Sequence, residues 1–276
     1  MQTIKIGYSP CPNDTFIFDA MVHEKVDTEG LKFEAVLKDV EELNQMAFRN
    51  ELEVSKLSYF ALANLLKSYQ LLNSGSALGS GVGPLLIAKQ HMTEEEIDAA
   101  RIAIPGKYTT ANFLLSLAYP RAENKLEMLF SDIENAVLNG NVDAGLIIHE
   151  NRFTYEEKGL VKLIDLGNYW EEVSGNLIPL GGIAVKRELD QPTKEKVDRI
   201  IKRSIEYAFK QPESSREYVK THAQEMSEEV MQKHINLYVN DYSVDLGEEG
   251  RGAVLQLFKK AEEKGLIAKI KEDIFV

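Results

Sequence analysis

The chain has 276 residues, 44% hydrophobic and 28% charged, a globular balance that argues against disorder and leaves room for two hydrophobic cores. A formal net charge of −12 argues against a nucleic-acid surface, which needs clustered lysine and arginine, but not against a small anion held in a locally basic cleft. The single cysteine, Cys11, excludes an intramolecular disulfide framework and a cysteine-rich zinc site.

In chain order, Lys5–Ser9 is an apolar strand that ends on a small polar residue. The turn Pro10–Thr15 then opens a helix, with Asn13, Asp14 and Thr15 as good cap types and Phe16, Ile17, Phe18, Ala20 and Met21 as its apolar face. Leu31–Val36 alternates like a half-buried strand, and Asp39–Ala47 predicts a second helix. Glu53–Ser58 is a short strand, and Tyr59–Tyr69 a third helix. This βαβαβα alternation predicts a mostly parallel sheet covered by helices, with ligands beyond the carboxyl ends of its strands. Ser9 and the Lys56-Leu57-Ser58 group fall at such ends.

A second unit follows the strand Gly83–Lys89. Arg101–Pro105 is a strand, Gly106–Thr110 a turn, and Ala111–Leu117 the helix it opens. Ile133–Leu138 predicts a short helix, and Gly145–His149 an apolar strand that ends on a histidine. The apolar segments Gly83–Lys89 and Gly181–Lys186 echo each other and bracket this unit, as two crossings between lobes would. The expected organisation is therefore residues 1–88 in the first lobe, 89–184 in the second, and 185–276 returning to the first as mainly helical chain. Lys196–Phe209 and Ala253–Lys264 are the clearest amphipathic stretches of that tail. The polar start and the lack of an apolar run of membrane length predict the cytoplasm and no membrane partner.

His149 is the strongest chemical candidate, since a neutral imidazole with an ordinary pKa near ~6.5 is available as a base at cellular pH. A structural histidine is the alternative. Its place on a strand puts Glu150 on the opposite face, so Glu150 is the poorer base. Thr109 and Thr110, at a helix start, suit either a carboxylate or an ordinary cap. Lys56 suits a substrate carboxylate or plain solvent exposure. His23, His91, His222 and His234 lie in polar or interlobe contexts and form no metal-ligand spacing, so no metal is expected. The stretch Ser74–Gly83 lacks the lysine of a phosphate-binding loop and is expected to be a flexible wall or turn. Cys11, between two prolines, is expected to be structural.

Several segments resemble one family. They are Ser9-Pro10-Cys11-Pro12-Asn13-Asp14-Thr15-Phe16, Ser55-Lys56-Leu57-Ser58-Tyr59, Gly81-Val82-Gly83-Pro84-Leu85 and Gly145-Leu146-Ile147-Ile148-His149-Glu150 with Arg152–Tyr155. Tyr238-Val239-Asn240 and Asp245–Gly250 also match. The family is 1,4-dihydroxy-6-naphthoate synthase, of the futalosine route to menaquinone, and the similarity runs over nearly the whole chain. The resemblance implies a two-lobed α/β fold like the type II periplasmic binding proteins. It also implies a lyase that acts on cyclic dehypoxanthinyl futalosine without a cofactor, with His149 as the base. Lys56, Leu57, Ser58, Thr109 and Thr110 match the family's substrate-binding segments and are expected to converge on one cleft. A chorismate dehydratase-like enzyme and a non-catalytic small-anion-binding protein are the competing classes.

Overall fold

The structure, a computed structural model, describes residues 2–223 and 227–276. In chain order its strands are β1 (Gln2–Tyr8), β2 (Leu31–Leu37), β3 (Val54–Ser58), β4 (Tyr69–Leu71), β5 (Ala77–Gly79), β6 (Leu85–Ala88), β7 (Ile102–Ile104), β8 (Lys125–Glu127), β9 (Ala144–Ile147), β10 (Val161–Asp165) and β11 (Ile178–Lys186). They form two sheets, ordered β2-β1-β3-β11-β4 (with β5 on β11) and β10-β6-β9-β7-β8. The chain divides into two compact units, Met1–Gly79 with Pro179–Val276, and Ser80–Ile178. The first unit thus ends ahead of the residue-88 boundary suggested by the sequence. The reason is that β6 pairs with β9 and β10, inside the second unit's sheet. The return comes at Pro179 and not at 185, because all of β11 from Gly181 to Lys186 is hydrogen-bonded within the first sheet.

In the first unit, β1 runs parallel to both β2 and β3, as the βαβ pattern predicts. The sheet is nevertheless mixed, since β11 is antiparallel to β3 and β4. β11 enters from the second unit and not through a helical crossover, so the parallel rule for crossovers does not bind it. Every residue of β3 is buried between β1 and β11. Helix Pro12–Val22 and the long amphipathic helix Gln191–Lys210 meet in the core that holds Ile4, Ile6, Phe18, Met21, Ile200, Ile201 and Ile205. There Ser204 Oγ donates to the Ile17 carbonyl at 2.6 Å and accepts from Met21 N–H at 3.1 Å.

Three local expectations change. The cap of the first helix is Cys11, with Pro12 as the first helical residue, so Asn13, Asp14 and Thr15 lie inside the first turn. Proline at that position gives up an N–H that would have no partner anyway. The helix after Ser58 ends at Leu65, and Tyr69 belongs to β4, where the final segment of the chain adds at Leu71–Phe275. Ser74–Gly79 is not a loose wall. Ser74 N–H donates to Asp198, Gly75 N–H to the Ser243 carbonyl, and the Ser76 and Tyr59 hydroxyls lie 2.7 Å apart.

In the second unit, β7 is parallel to β8 and β9, while β6 is antiparallel to β9 and β10. Ile87, Ala103, Ile133, Val137 and Ile147 form its core, and helix Ile133–Leu138 covers β9. Trp170, fully buried on helix Leu166–Ser174, donates its indole N–H to the Leu177 carbonyl at 3.0 Å. Among the described residues no helix is long and apolar enough to cross a membrane.

Candidate active site

In the first unit the polar groups gather where the adjacent parallel strands β1 and β3 end. Ser9, just past β1, donates its N–H and its hydroxyl to Asp14 Oδ2, at 3.1 and 2.8 Å. Asp14 Oδ1 accepts from Asn13 Nδ2 at 3.0 Å and faces Lys56 Nζ at 3.5 Å. Lys56 Nζ also donates to the Gly75 carbonyl at 2.6 Å. Gly75 has φ +88, and a Cβ there would stand 2.3 Å from Ile183 Cγ1, so only glycine carries this carbonyl so close to the sheet. Lys56 is 7% exposed, which rules out the solvated surface lysine. Leu57 has its side chain in the core, so its backbone is what it offers. Ser58 N–H donates to Asn44 Oδ1 at 3.1 Å, and Asn44 Nδ2 donates to the Ser58 hydroxyl at 3.2 Å. Those two bonds leave the Ser58 hydroxyl with its own proton to donate. Burial pushes the flanking phenols up from their ordinary pKa, Tyr8 with help from the Tyr218 hydroxyl beside it and Tyr59 by burial alone. Both are therefore neutral hydrogen-bonding groups.

In the second unit, the predicted residues leave the carboxyl ends of the adjacent parallel strands β7 and β9. Thr109 caps helix Thr110–Ala118: its hydroxyl accepts from Asn112 N–H at 3.2 Å and donates to the Gly106 carbonyl at 2.8 Å. Thr109 and Thr110 are both 2% exposed. His149 is not the last residue of a strand, because β9 ends at Ile147. It opens the short 3-10 turn His149–Phe153 in the left-handed region, at φ +57. The extended alternation that put Glu150 on the opposite face of a strand does not apply here. Glu150 is instead a buried residue of the same turn.

A non-glycine residue in that region stays there only when its surroundings over-determine it. The turn is held on each side. Asn151 Nδ2 and Lys158 Nζ both donate to the buried carboxylate of Glu134, at 3.0 and 2.7 Å. Arg152 donates to the Gly83 carbonyl at 2.8 Å and pairs with Asp165 at 3.3 Å. Asp165 in turn caps helix Leu166–Ser174 through Gly167 and Asn168 N–H. The His149 ring meets Phe130 edge-on, with centroids 4.9 Å apart. His149 is partly buried as a residue, and its ring Nε2 is shut off from solvent.

Sequence reasoning names Asn13 and Asp14 only as cap types and His234 only as no metal ligand, not as part of a site. Three cap-type residues in succession exceed what one helix start uses, and that excess was the signal for the first two. His234, judged to lie in a polar context, is fully buried, with Nε2 2.9 Å from Asn13 Oδ1. Met231, His234, Ile235 and Tyr238 share one buried helical face at the spacing of a core stripe.

Two α/β units, each with polar groups beyond the ends of neighbouring parallel strands, define a protein of the periplasmic-binding-protein fold class. The alkanesulfonate-binding protein SsuA from Xanthomonas axonopodis pv. citri has this fold. It superposes with a TM-score of 0.72 over 98% of this chain and 95% of its own, at 13% identity. A solved protein from Archaeoglobus fulgidus gives a TM-score of 0.91 at 39% identity, over 96% of this chain and 98% of that one. The family model described as "Menaquinone biosynthesis" matches residues 4–263. The 1,4-dihydroxy-6-naphthoate synthase of Thermus thermophilus is 46% identical over 100% of both chains. That of Streptomyces coelicolor is 40% identical over 99% of this chain and 97% of its own. The chain belongs to this menaquinone-biosynthesis family, the family of the 1,4-dihydroxy-6-naphthoate synthases, and is an enzyme of that route.

Proposed function

We propose that the chain is a carbon–carbon lyase that converts cyclic dehypoxanthinyl futalosine to 1,4-dihydroxy-6-naphthoate in the cytoplasm, with His149 as the base. The observation that carries the reaction is the similarity to two curated synthases over nearly the full length of each. His149 removes an acidic proton next to a carbonyl, the carbon–carbon bond breaks, and a sugar-derived fragment leaves. The new ring becomes aromatic, which drives the step. Substrate and products balance without an external oxidant or reductant, so the reaction needs no redox partner. A positioned general base contributes about 10²–10⁴-fold, and fixed donors facing the developing enolate supply much of the rest.

The left-handed backbone of His149 supports this assignment, because strain of this kind collects at functional positions. Lys56 and Ser58 hold the substrate by charge and hydroxyl, Leu57 by its backbone, and Thr109 and Thr110 at the start of their helix. The test is incubation of the purified protein with cyclic dehypoxanthinyl futalosine, with chromatographic detection of the naphthoate. Naphthoate formed in proportion to enzyme supports the reading. Unchanged substrate, or turnover of chorismate instead, contradicts it.

A further inference from the structure

The first unit buries more charge than its core requires. Asp14 is 2% exposed, Asn13 7%, Lys56 7% and His234 0%, yet all four lie in one connected polar chain. His234 Nε2 stands 2.9 Å from Asn13 Oδ1, Asn13 Nδ2 donates to Asp14 Oδ1, and that same oxygen faces the Lys56 ammonium. The amide direction fixes the donor: Asn13 presents its oxygen to the imidazole, so His234 Nε2 carries the proton. The other Asp14 oxygen takes both donors of Ser9. A buried ion pair of this kind adds little stability compared with apolar packing, because desolvation offsets its attraction. Its retention at the ends of β1 and β3 calls for another reason.

We propose that Asp14 is a positioning residue for substrate binding. Its carboxylate, held by Ser9 and by the Asn13–His234 pair, fixes the Lys56 ammonium against the Gly75 carbonyl for the carboxylate of the substrate. Lysine is ordinarily a flexible point charge on a four-carbon stem. Lys56 gives one hydrogen bond to the Gly75 carbonyl and lies 3.5 Å from the Asp14 carboxylate, which leaves donor capacity for an anion, and 9% of the side chain remains accessible for the approach. Asp14 itself does not touch the ligand. This inference rests on the binding role given to Lys56 in the proposed function.

The test is a double-mutant cycle on the full chain with D14N, K56M and D14N/K56M. It is read both in KM for cyclic dehypoxanthinyl futalosine and in calorimetric Kd for the product naphthoate. D14N should raise KM and Kd about tenfold or more while kcat falls less, because a positioning loss acts first on binding. K56M should do the same, and the double variant should be no worse than K56M alone, since the two residues act as one unit. If D14N leaves lysine as an unbalanced buried charge and fails to fold, the double variant removes both charges, and S9A weakens the hold on Asp14 without leaving a charge. S9A should then raise Kd in the Lys56 background and leave it unchanged in the K56M background. A folded D14N with wild-type KM and Kd overturns the proposal. So do D14N and K56M effects that multiply, or an S9A effect that persists in K56M. A wild type that binds the naphthoate with this coupling but does not turn over the substrate contradicts the proposed reaction and leaves the role of Asp14 standing. A wild type that does neither overturns both.

Discussion

His149 pays for its position in backbone strain: a left-handed conformation costs an L-residue about 1–2 kcal/mol, and glycine almost nothing. H149G should therefore lose activity without losing stability, with Tm unchanged or raised by up to about 2–4 °C in thermal unfolding. A clear fall in Tm would mean that ring contact with Phe130 outweighs the strain. Thr109 makes the opposite case, since its hydroxyl is already used twice in closing the turn onto its helix. T109A should cost about 1 kcal/mol as a lost cap and raise KM, whereas T109S should restore both. Equal KM for wild type and T109A in steady-state assays would remove Thr109 from the binding residues.

Elements set these residues in place through backbone as much as side chain. A Cβ on Gly83 would stand 2.2 Å from the Cα and N of Gly167, where the lead into β6 meets helix Leu166–Ser174. Gly83 also supplies the carbonyl that Arg152 uses to hold the turn of His149. G83A should push these segments apart, lower stability by about 1–3 kcal/mol and reduce kcat as the turn shifts. Unfolding and rate measurements with wild-type values would show that the contact relaxes freely.

Helix Gln191–Lys210 carries a separate, pH-dependent contact. A hydrogen bond from Arg199, opposed by burial and joined by a weaker one from Arg203, holds the Glu29 carboxyl below its ordinary pKa. Because the folded pKa is the lower one, this stabilisation is complete above the unfolded value, near ~4.3, and is lost as pH falls through the folded value. E29Q should lower Tm slightly at pH 7 and progressively less as pH falls below ~4, and the same small loss at every pH would contradict the assignment. The pair is partly exposed, so the effect is small and fades in salt.

Much of this was legible in the sequence. The strands β1, β2 and β3 and helix Ile133–Leu138 follow directly from hydrophobic period and cap chemistry. The short strands β4, β5 and β8 carry no apolar run like Ile102-Ala103-Ile104, which makes the equally short β7 legible. The turn of His149 was read as strand because Ile147 and Ile148 prolong the apolar run, and no local residue announces the left-handed break. The Asp14–Lys56 contact spans a distance in sequence that only the parallel pairing of β1 and β3 closes.

For the whole molecule, each unit places its candidate residues by the same device: two adjacent parallel strands that end together, with an antiparallel strand beside one of them, β11 in one unit and β6 in the other. The two apolar segments that echo each other in the sequence are these strands. That device explains where ligands gather, since the carboxyl ends of parallel strands are the usual place in α/β sheets, but not which reaction follows. The reaction depends on His149. The most direct test is the pH dependence of turnover of cyclic dehypoxanthinyl futalosine by wild type and H149N, since asparagine tolerates the left-handed backbone and removes only the base. kcat should be at least about 10²-fold lower in H149N, with folding and KM nearly intact. Wild-type kcat/KM should also fall in acid as the imidazole is protonated, and that limb should be lost in the variant. An H149N enzyme with near-normal kcat and the same acid limb would contradict it and make His149 a structural residue.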